Sequence, residues 1–328
     1  MMVNVGIIGM AGIAGAHLGG YDQCADARVV ACCDVDPAKA ERRAEQGARA
    51  YQDYRALLAD PAVDAVSICL PTYLHAEATI AALQAGKHVL CEKPMALSSA
   101  DGDRMLAAAE AAGRVLMIAH CIRFWPEYQA LKTIVDGGAY GAVQSALFTR
   151  LGGLPTWSAG GWMRDPARSG GAILDLHIHD ADYIAYLFGL PRRVRARGVE
   201  TEFGINDLRV DYDYGDGRMI AAESAWYPSE HYPFQATFRV ALARAVVQLD
   251  GRRPLTVYPA AMPAFEPVVP PGDGYANEIA DFIRCIVRGV RPEVAPAAAS
   301  RDSLRLIEAE AASIRTGEAV PVGAGAAA

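Results

Sequence analysis

Short apolar runs alternate with amphipathic or alanine-rich segments through the first 120 residues. The apolar runs are typical of buried strands, and the segments between them are typical of helices. The predicted strands are Val3–Ile8, Arg28–Cys33, Val63–Leu70, Lys87–Cys91 and Val115–Ala119, and the predicted helices are Ile13–Tyr21, Pro37–Gln46, His75–Ala85 and Ser98–Ala112. Strands that alternate with helices indicate βαβ units and a parallel sheet.

The pattern changes after about Arg123, where several segments alternate polar and apolar residues with period two. Predicted strands are Gly141–Arg150, Arg192–Thr201, Leu208–Tyr214, Met219–Trp226, Phe234–Ala241 and Ala245–Leu249, and predicted helices are Gly171–Leu187, Tyr275–Arg288 and Ser300–Thr316. A turn at Asp213–Gly217 predicts a hairpin between two of these strands. We therefore expect an α+β domain with a largely antiparallel sheet and a frayed tail of glycine and alanine.

Length and composition narrow the class of protein. The chain has 328 residues, 52% of them hydrophobic, which suits two domains, predicted here as 1–122 and 123–328. A net charge of −7 argues against nucleic acid as a partner. No apolar run reaches the ~18 residues of a membrane span, and the N-terminus is typical of a first strand rather than a signal peptide. Cys32, Cys33, Cys69 and Cys91 lie in apolar segments, so we expect reduced, buried cysteines and a cytoplasmic location.

The turn after the first strand is a candidate phosphate-binding loop. A dinucleotide-binding fingerprint requires glycine at positions 9, 11 and 14, whereas this chain has Gly9, Ala11 and Ala14. The methyl group of alanine at the second position reduces the space between the backbone and a pyrophosphate but does not fill it. The context predicts that Gly9, Ala11, Gly12 and Ile13 bind a cofactor, with a plain tight turn as the alternative.

Two further segments belong to the same expected cofactor cleft. Asp34 ends the second strand, where an acid accepts hydrogen bonds from ribose hydroxyls and repels a 2′-phosphate, so NAD is favoured over NADP. Asp36 fits the simpler role of a helix N-cap. The third strand is followed by residues expected beside the cofactor, namely Leu70, Pro71, Thr72 and His75. A structural histidine at a helix start is the alternative for His75.

Glu92-Lys93-Pro94 follows the fourth predicted strand. A lysine that closes an apolar strand in an open α/β sheet lies where such sheets bind ligands, so we expect Glu92 and Lys93 to bind the cofactor and Lys93 also to bind the substrate. Partial burial there would make the ammonium group available for acid–base work. The tripeptide is common by itself, so the prediction depends on its surroundings.

Asp175 and His179 are the candidate acid–base pair of the second half. They lie four residues apart on the predicted helix, so they share a face, and a carboxylate beside an imidazole orients it as a general base. His177 is expected to point elsewhere. A solvated helix with a chance pair is the alternative, and His-x-His on a helix diverges, so we expect no metal site.

Two weaker candidates for substrate binding are Arg123 and Trp162. Arg123 would bind a hydroxyl-rich or anionic substrate, and Trp162 would stack on nicotinamide or on a sugar. The alternative for both residues is packing between domains.

Taken in order, these motifs resemble the glucose–fructose oxidoreductase / inositol dehydrogenase family, written Gfo/Idh/MocA. The resemblance covers nearly the whole chain, and it is carried by Gly9 to His17, Asp34, Pro71 to His75, Glu92-Lys93-Pro94, His120 to Pro126, Trp162, Gly170 to Asp180 and Tyr275 to Phe282. It implies an N-terminal Rossmann dinucleotide-binding domain and a C-terminal domain with a large, mostly antiparallel open sheet that often forms dimer or tetramer contacts.

The resemblance also implies a catalytic lysine at Lys93 and a helical aspartate and histidine at Asp175 and His179. We expect an NAD-dependent oxidoreductase acting on a secondary alcohol of a sugar, inositol or related polyol. His179 would take the hydroxyl proton, and Lys93 would hydrogen-bond the same oxygen. Two alternatives stay open: redox-assisted glycoside cleavage with recycled NAD, and a non-catalytic dinucleotide-binding regulatory protein.

Overall fold

The computed structural model of the protein describes residues 1–44 and 47–323. Contacts divide the chain into two compact units. The first unit consists of Met1–Phe124 together with Gly272–Arg301, and the second consists of Trp125–Pro271 and the chain from Asp302 onward. The predicted domain boundary between residues 122 and 123 stays a prediction. The predicted helix end at Gln46 and the tail from residue 324 lie outside the described residues.

The helices and strands follow the chain in a regular order. The helices are α1 Ala14–Gln23, α2 Pro37–Ala44, α3 Tyr54–Leu58, α4 His75–Gln84, α5 Ser99–Ala112, α6 Pro126–Asp136, α7 Pro166–Ser169, α8 Gly171–Asp175, α9 Ile178–Phe188, α10 Gly274–Arg288 and α11 Ala297–Thr316. The strands are β1 Val3–Ile8, β2 Ala27–Cys33, β3 Arg49–Tyr51, β4 Ala65–Ile68, β5 His88–Glu92, β6 Leu116–Ala119, β7 Val143–Gly153, β8 Arg193–Thr201, β9 Gly204–Asp213, β10 Met219–Tyr227, β11 Gln235–Leu242, β12 Ala245–Leu249, β13 Thr256–Pro259 and β14 Val320–Pro321.

The first unit contains a parallel sheet with strand order β3-β2-β1-β4-β5-β6. This is the strand order of a dinucleotide-binding Rossmann sheet, so the predicted fold of the N-terminal half is confirmed. Its central strands are largely apolar because helices cover both faces of such a sheet. The predicted burial of Cys32, Cys33, Cys69 and Cys91 is also confirmed.

Helix α10 returns to the first unit late in the chain. Asp273 caps its N-terminus by accepting hydrogen bonds from the amides of Tyr275 and Ala276. Its apolar stripe, which includes Ile279 and Phe282, lies in the same core as β1. A Cβ at Gly20 in α1 would come 2.4 Å from Ile279, so the glycine allows the two helices to approach closely. The first unit is therefore completed by residues distant in sequence.

The second unit contains a sheet with strand order β13-β12-β11-β7-β10-β9-β8-β14. Its pairings are antiparallel except for the parallel pair of β7 and β10, so the predicted mostly antiparallel sheet is confirmed. The hairpin predicted at Asp213–Gly217 joins β9 and β10. Burial alternates along these strands, as expected for a sheet with one covered face.

The predicted single helix Gly171–Leu187 is wrong. Helix α8 ends at Asp175, and α9 begins at Ile178. The amide of His177 donates to the carbonyl of Ala172, five residues back, which widens the turn and breaks the regular ladder. Asp175 and His179 therefore do not share one continuous helix, and the four-residue spacing alone does not define their relation.

Among the described residues, no helix combines the length and the apolar character that crossing a membrane requires.

Candidate functional site

The turn after β1 is built on a glycine that no other residue replaces easily. Gly9 has φ of 90°, and its amide donates to the Cys33 carbonyl. A Cβ at this position would lie 2.6 Å from the Cys69 carbonyl oxygen. Both the left-handed backbone and the close approach of the chain after β4 therefore require glycine.

The start of α1 fits a phosphate group. Gly12 has φ of 50°, and a Cβ there would meet nothing within 4 Å. In the part of the chain that the structure describes, the amides of Ala11, Gly12 and Ile13 carry no intramolecular hydrogen bond. Free amides at a helix N-terminus bind anions because they add to the positive end of the helix dipole. The turn thus suits a pyrophosphate although Ala11 replaces the second glycine.

Asp34 connects the end of β2 to this turn. Its Oδ2 accepts a hydrogen bond from the Met10 amide at 2.8 Å, and its Oδ1 accepts one from the Asp36 amide at 2.9 Å. A carboxylate accepts about four hydrogen bonds, so Asp34 keeps acceptor capacity for hydroxyl groups. Asp36 caps α2 by accepting from the Ala38 amide, which is the simpler role considered for it.

The predicted cofactor residues meet at one edge of the parallel sheet. The chain order reverses between β1 and β4, and ligands of such sheets bind outside the carboxyl ends of the strands at this point. Gly9 follows β1, Leu70 to Thr72 follow β4, and Lys93 follows β5 directly. This edge therefore gathers backbone amides, a carboxylate and an ammonium group.

His75 is buried and lies between two loops of this edge. Its Nδ1 is 2.8 Å from the Pro94 carbonyl oxygen, and its Nε2 is 2.8 Å from the Leu70 carbonyl oxygen. Burial lowers the pKa of His75, while the two carbonyls raise it less. Because backbone groups face both ring nitrogens, the geometry favours the structural role over a polar contact with a cofactor.

A buried polar cluster lies beneath Lys93. His17 Nε2 is 2.9 Å from Glu92 Oε1, and His17 Nδ1 is 3.1 Å from the Ser67 hydroxyl, which also bonds Tyr21. Burial opposes protonation of His17, but Cys69 and Glu92 raise its pKa well above the ordinary value. Burial likewise opposes ionisation of Glu92, but His17 lowers the pKa of that carboxyl. The two side chains therefore form a charged pair.

Sequence reasoning missed most of this cluster. It named His17 only as the end of the glycine turn and assigned Glu92 to the cofactor. The available signal was a polar residue inside an apolar strand, Ser67 in β4. Such a residue requires a buried hydrogen-bond partner.

Lys93 is half-buried, and its amide donates to Glu92 Oε2 at 3.0 Å. The peptide bond between Lys93 and Pro94 is cis. The ammonium group of Lys93 thus extends from backbone that is bonded to the Glu92 carboxylate, and this carboxylate in turn contacts His17.

Arg123 is buried rather than presented to a ligand. Only 2% of its surface is exposed, and its Nη1 donates to the Val294 carbonyl at 2.8 Å. This contact favours the packing role, while substrate binding by Arg123 stays a prediction.

In the second unit, the break between α8 and α9 carries the candidate acid–base pair. Asp175 is buried at the end of α8, so this segment is not a solvated helix, and His179 is half-buried in the first turn of α9. His177 between them is fully buried, with Nδ1 2.8 Å from the Ser224 hydroxyl and Nε2 3.1 Å from Glu310. The break is therefore fixed to β10 and α11.

The beginning of α9 is held by a second buried contact. Asp180 accepts two hydrogen bonds from Arg150 of β7, at 2.9 and 3.0 Å. Both side chains are almost completely buried. A bidentate pair of this kind fixes orientation as well as distance, so the segment around His179 has a defined position within its unit.

Trp162 lies in a short 3-10 turn, Ala159–Arg164. Trp162 is partly buried and packs against an apolar cluster. This cluster consists of Leu154, Met163, Ala172, Leu176 and Trp226. Within residues 1–44 and 47–323, no group of three or more histidine, cysteine or acidic side chains is arranged to hold a metal ion.

Residues 3–120 match the family model described as the NAD-binding Rossmann fold of the oxidoreductase family GFO_IDH_MocA, and residues 128–247 match the GFO/IDH/MocA C-terminal domain. The chain belongs to the Gfo/Idh/MocA family. It is an NAD-binding oxidoreductase.

Relatives and folds agree with this assignment. The chain is 33% identical over 223 residues to the myo-inositol 2-dehydrogenase of Thermotoga maritima, which covers 65% of this chain and 61% of that protein. It is 31% identical over 333 residues to D-xylose 1-dehydrogenase (NADP(+)) 2 of Haloferax volcanii, covering 96% and 98%. The structure of levoglucosan dehydrogenase with NADH and levoglucosan has a TM-score of 0.88 at 23% identity, covering 99% and 100% of the chains, and shares the fold.

Proposed function

We propose that this Gfo/Idh/MocA protein transfers hydride between a secondary alcohol of a sugar, inositol or related polyol and nicotinamide. The observation that carries the proposal is the position of Lys93. It follows β5 directly, on the sheet edge that also holds the Gly9 turn and Asp34. The names of the relatives, which are inositol and sugar dehydrogenases, support this substrate class.

The glycine turn and the loops after β2 and β4 would hold the cofactor. We assign the pyrophosphate to the amides of Ala11, Gly12 and Ile13, and the adenosine ribose to Asp34. When bound, the dinucleotide supplies the hydride acceptor. A carboxylate at Asp34 repels a 2′-phosphate, so we propose NAD as the preferred cofactor.

The chain's own residues would handle the alcohol proton. An alcohol is too weak an acid to lose its proton unaided at neutral pH, so a base must take it as the hydride leaves. We assign this role to His179, with Asp175 orienting the imidazole or bonding a neighbouring hydroxyl. Lys93 would hydrogen-bond the alcohol oxygen and offset its developing negative charge. The proposal requires Lys93 and His179 to reach one substrate oxygen.

The test is turnover by Lys93→Ala against a matched control. Wild type is assayed with inositols, aldoses and glycosides, using NAD or NADP and the absorbance of the reduced nicotinamide. We expect Lys93→Ala to lower kcat by about 10²–10⁴-fold with NAD affinity nearly unchanged. Lys132→Ala removes an ammonium group that pairs with Asp136 on α6, and it should leave kcat unchanged.

Two outcomes contradict the proposal. Turnover of Lys93→Ala within about threefold of wild type would remove Lys93 from the mechanism, since general acid–base groups contribute far more. Sugar release from a glycoside without net NADH would instead support redox-assisted cleavage with recycled NAD.

We also propose that a second copy of the chain covers the open face of the second sheet, giving a homodimer or homotetramer. The face formed by β7, β11 and β12 carries a concavity of about 640 Å³, lined in part by Leu147, Thr237 and Arg239. Light scattering of wild type and Leu147→Glu tests this proposal. We expect an oligomer that the charged variant dissociates, and a monomeric wild type would refute it.

A further inference from the structure

The backbone that carries Lys93 is held by groups that do not themselves reach a substrate. The Lys93 amide donates to Glu92 Oε2 at 3.0 Å. The carbonyl oxygen of the following residue, Pro94, lies 2.8 Å from His75 Nδ1. Only 6% of Glu92 and 1% of His75 is exposed. Contacts on both sides of Lys93 therefore restrict the backbone from which its ammonium group extends.

We infer that His17 and Glu92 are positioning residues for Lys93, with the Glu92 carboxylate acting through the Lys93 amide rather than as a cofactor ligand. This inference rests on the proposed catalytic role of Lys93. It changes the assignment of Glu92, which the sequence alone places among the cofactor-binding residues.

Each oxygen of Glu92 has a partner within the protein, and because only 6% of the residue is exposed, burial keeps its remaining acceptor capacity away from a cofactor. Oε1 faces His17 Nε2 at 2.9 Å, and Oε2 accepts the Lys93 amide. His17 is itself fixed at its other nitrogen by the Ser67 hydroxyl. The carboxylate therefore has a single orientation, set from α1 and β4, and it transmits that orientation to the residue after β5.

The charge state strengthens this arrangement. The pKa of His17 is raised by Cys69 and Glu92 in spite of burial, and the pKa of Glu92 is lowered by His17 in spite of burial. A hydrogen bond between an imidazolium and a carboxylate is shorter and stronger than one between neutral groups. The pair is thus a rigid support rather than a solvated contact.

Glu92 also supplies a fixed negative charge near the Lys93 ammonium group. Glu92→Gln removes this charge while keeping the side-chain shape, so it separates the contribution of the carboxylate from that of packing.

The test compares Glu92→Gln and His17→Gln with Tyr21→Phe. Tyr21→Phe removes a hydroxyl from the same buried cluster; among the described residues this hydroxyl bonds Ser67 and makes no direct bond to Glu92 or Lys93. For Glu92→Gln we expect kcat to fall about 10–100-fold, because small misplacements of a catalytic group have effects of this size. The Kd for NADH should stay within about threefold of the wild-type value, which corresponds to less than about 1 kcal/mol of binding free energy.

His17→Gln should change kcat in the same direction but by less, since the bond from Glu92 to Lys93 remains. Tyr21→Phe should lower the melting temperature without changing kcat. An unchanged kcat in Glu92→Gln overturns the inference. Weakened NADH binding with unchanged kcat also overturns it, and restores Glu92 as a cofactor ligand.

Amide hydrogen exchange tests the positioning of Lys93 without relying on the proposed catalytic activity. Mass spectrometry of the peptide that contains Lys93 should show faster exchange in Glu92→Gln than in wild type or Tyr21→Phe. Equal exchange in all three refutes the positioning. If exchange responds as expected but wild type oxidises no alcohol, the proposed function fails and the support of Lys93 by Glu92 stands.

Discussion

Glu278 provides a direct test of the electrostatics beneath the sheet edge. It lies in α10 with no exposed surface, and within the described residues neither carboxyl oxygen has a hydrogen-bond partner. Burial, followed by the negative charge of Glu92, raises the pKa of Glu278 well above its ordinary value. Folding therefore favours the protonated form of this side chain. We predict that Glu278→Gln, which is neutral at every pH, is more stable than wild type at pH 7.

The magnitude follows from linkage between protonation and folding. Below the pKa of the unfolded chain, about 4.3 for glutamate, both states are protonated and Glu278 causes no pH dependence. Above it, the unfolded state releases the proton and the folded state retains it, so the free energy of unfolding falls as pH rises. The slope is about 1.4 kcal/mol per pH unit, until the folded state also releases its proton. The advantage of Glu278→Gln over wild type grows at the same rate.

The assay is urea unfolding of both proteins at pH 5, 6 and 7, followed by circular dichroism. Glu77→Gln is the control, because Glu77 is exposed and pairs with Arg55 and Tyr54 at the surface. Its difference from wild type should vary little with pH. A stability difference between Glu278→Gln and wild type that is the same at all three pH values would refute the reasoning.

Two further predictions concern the second unit and the cofactor. Asp180→Asn should lower the free energy of unfolding by about 3–5 kcal/mol, because it leaves the Arg150 guanidinium buried without its charged partner. Urea unfolding measures this change. A loss below about 1 kcal/mol, which is the value of a surface pair, would contradict the prediction. Asp34→Ser should weaken NAD binding and reduce discrimination against NADP, because it removes the carboxylate that we assign to the ribose. Titration of both cofactors checks this, and an unchanged preference argues against the ribose assignment.

Strong local patterns could be predicted from the sequence, and weak ones could not. β1 and β12 have the predicted bounds because each is a clear apolar or alternating run between turn residues. β3 is three residues long and largely exposed at the sheet edge, so it has no apolar signature. The surface helix α6 and the four-residue β13 were also missed. Such elements depend on pairing and packing rather than on their own pattern.

The site shows the same division. Lys93 and the Gly9 turn could be proposed from the sequence because each directly follows a strong strand. The partners of Glu92 could not be predicted from the sequence, because His17 lies 75 residues away and contacts Glu92 only in the folded protein. The break at His177 depends on partners from separate elements, including Ser224 of β10 and Glu310 of α11. Periodicity describes one segment at a time, so it extends the helix through that break.

The late return of α10 affects the protein during its synthesis. All six strands of the parallel sheet leave the ribosome before Ile279, Phe282 and Ile283, which complete their core. At about 5–20 residues per second, the apolar side of α1 waits for tens of seconds for its cover. A fragment that ends at Phe124 would never receive it, so we expect the nascent N-terminal half to be prone to aggregation and to depend on chaperones until translation is nearly finished.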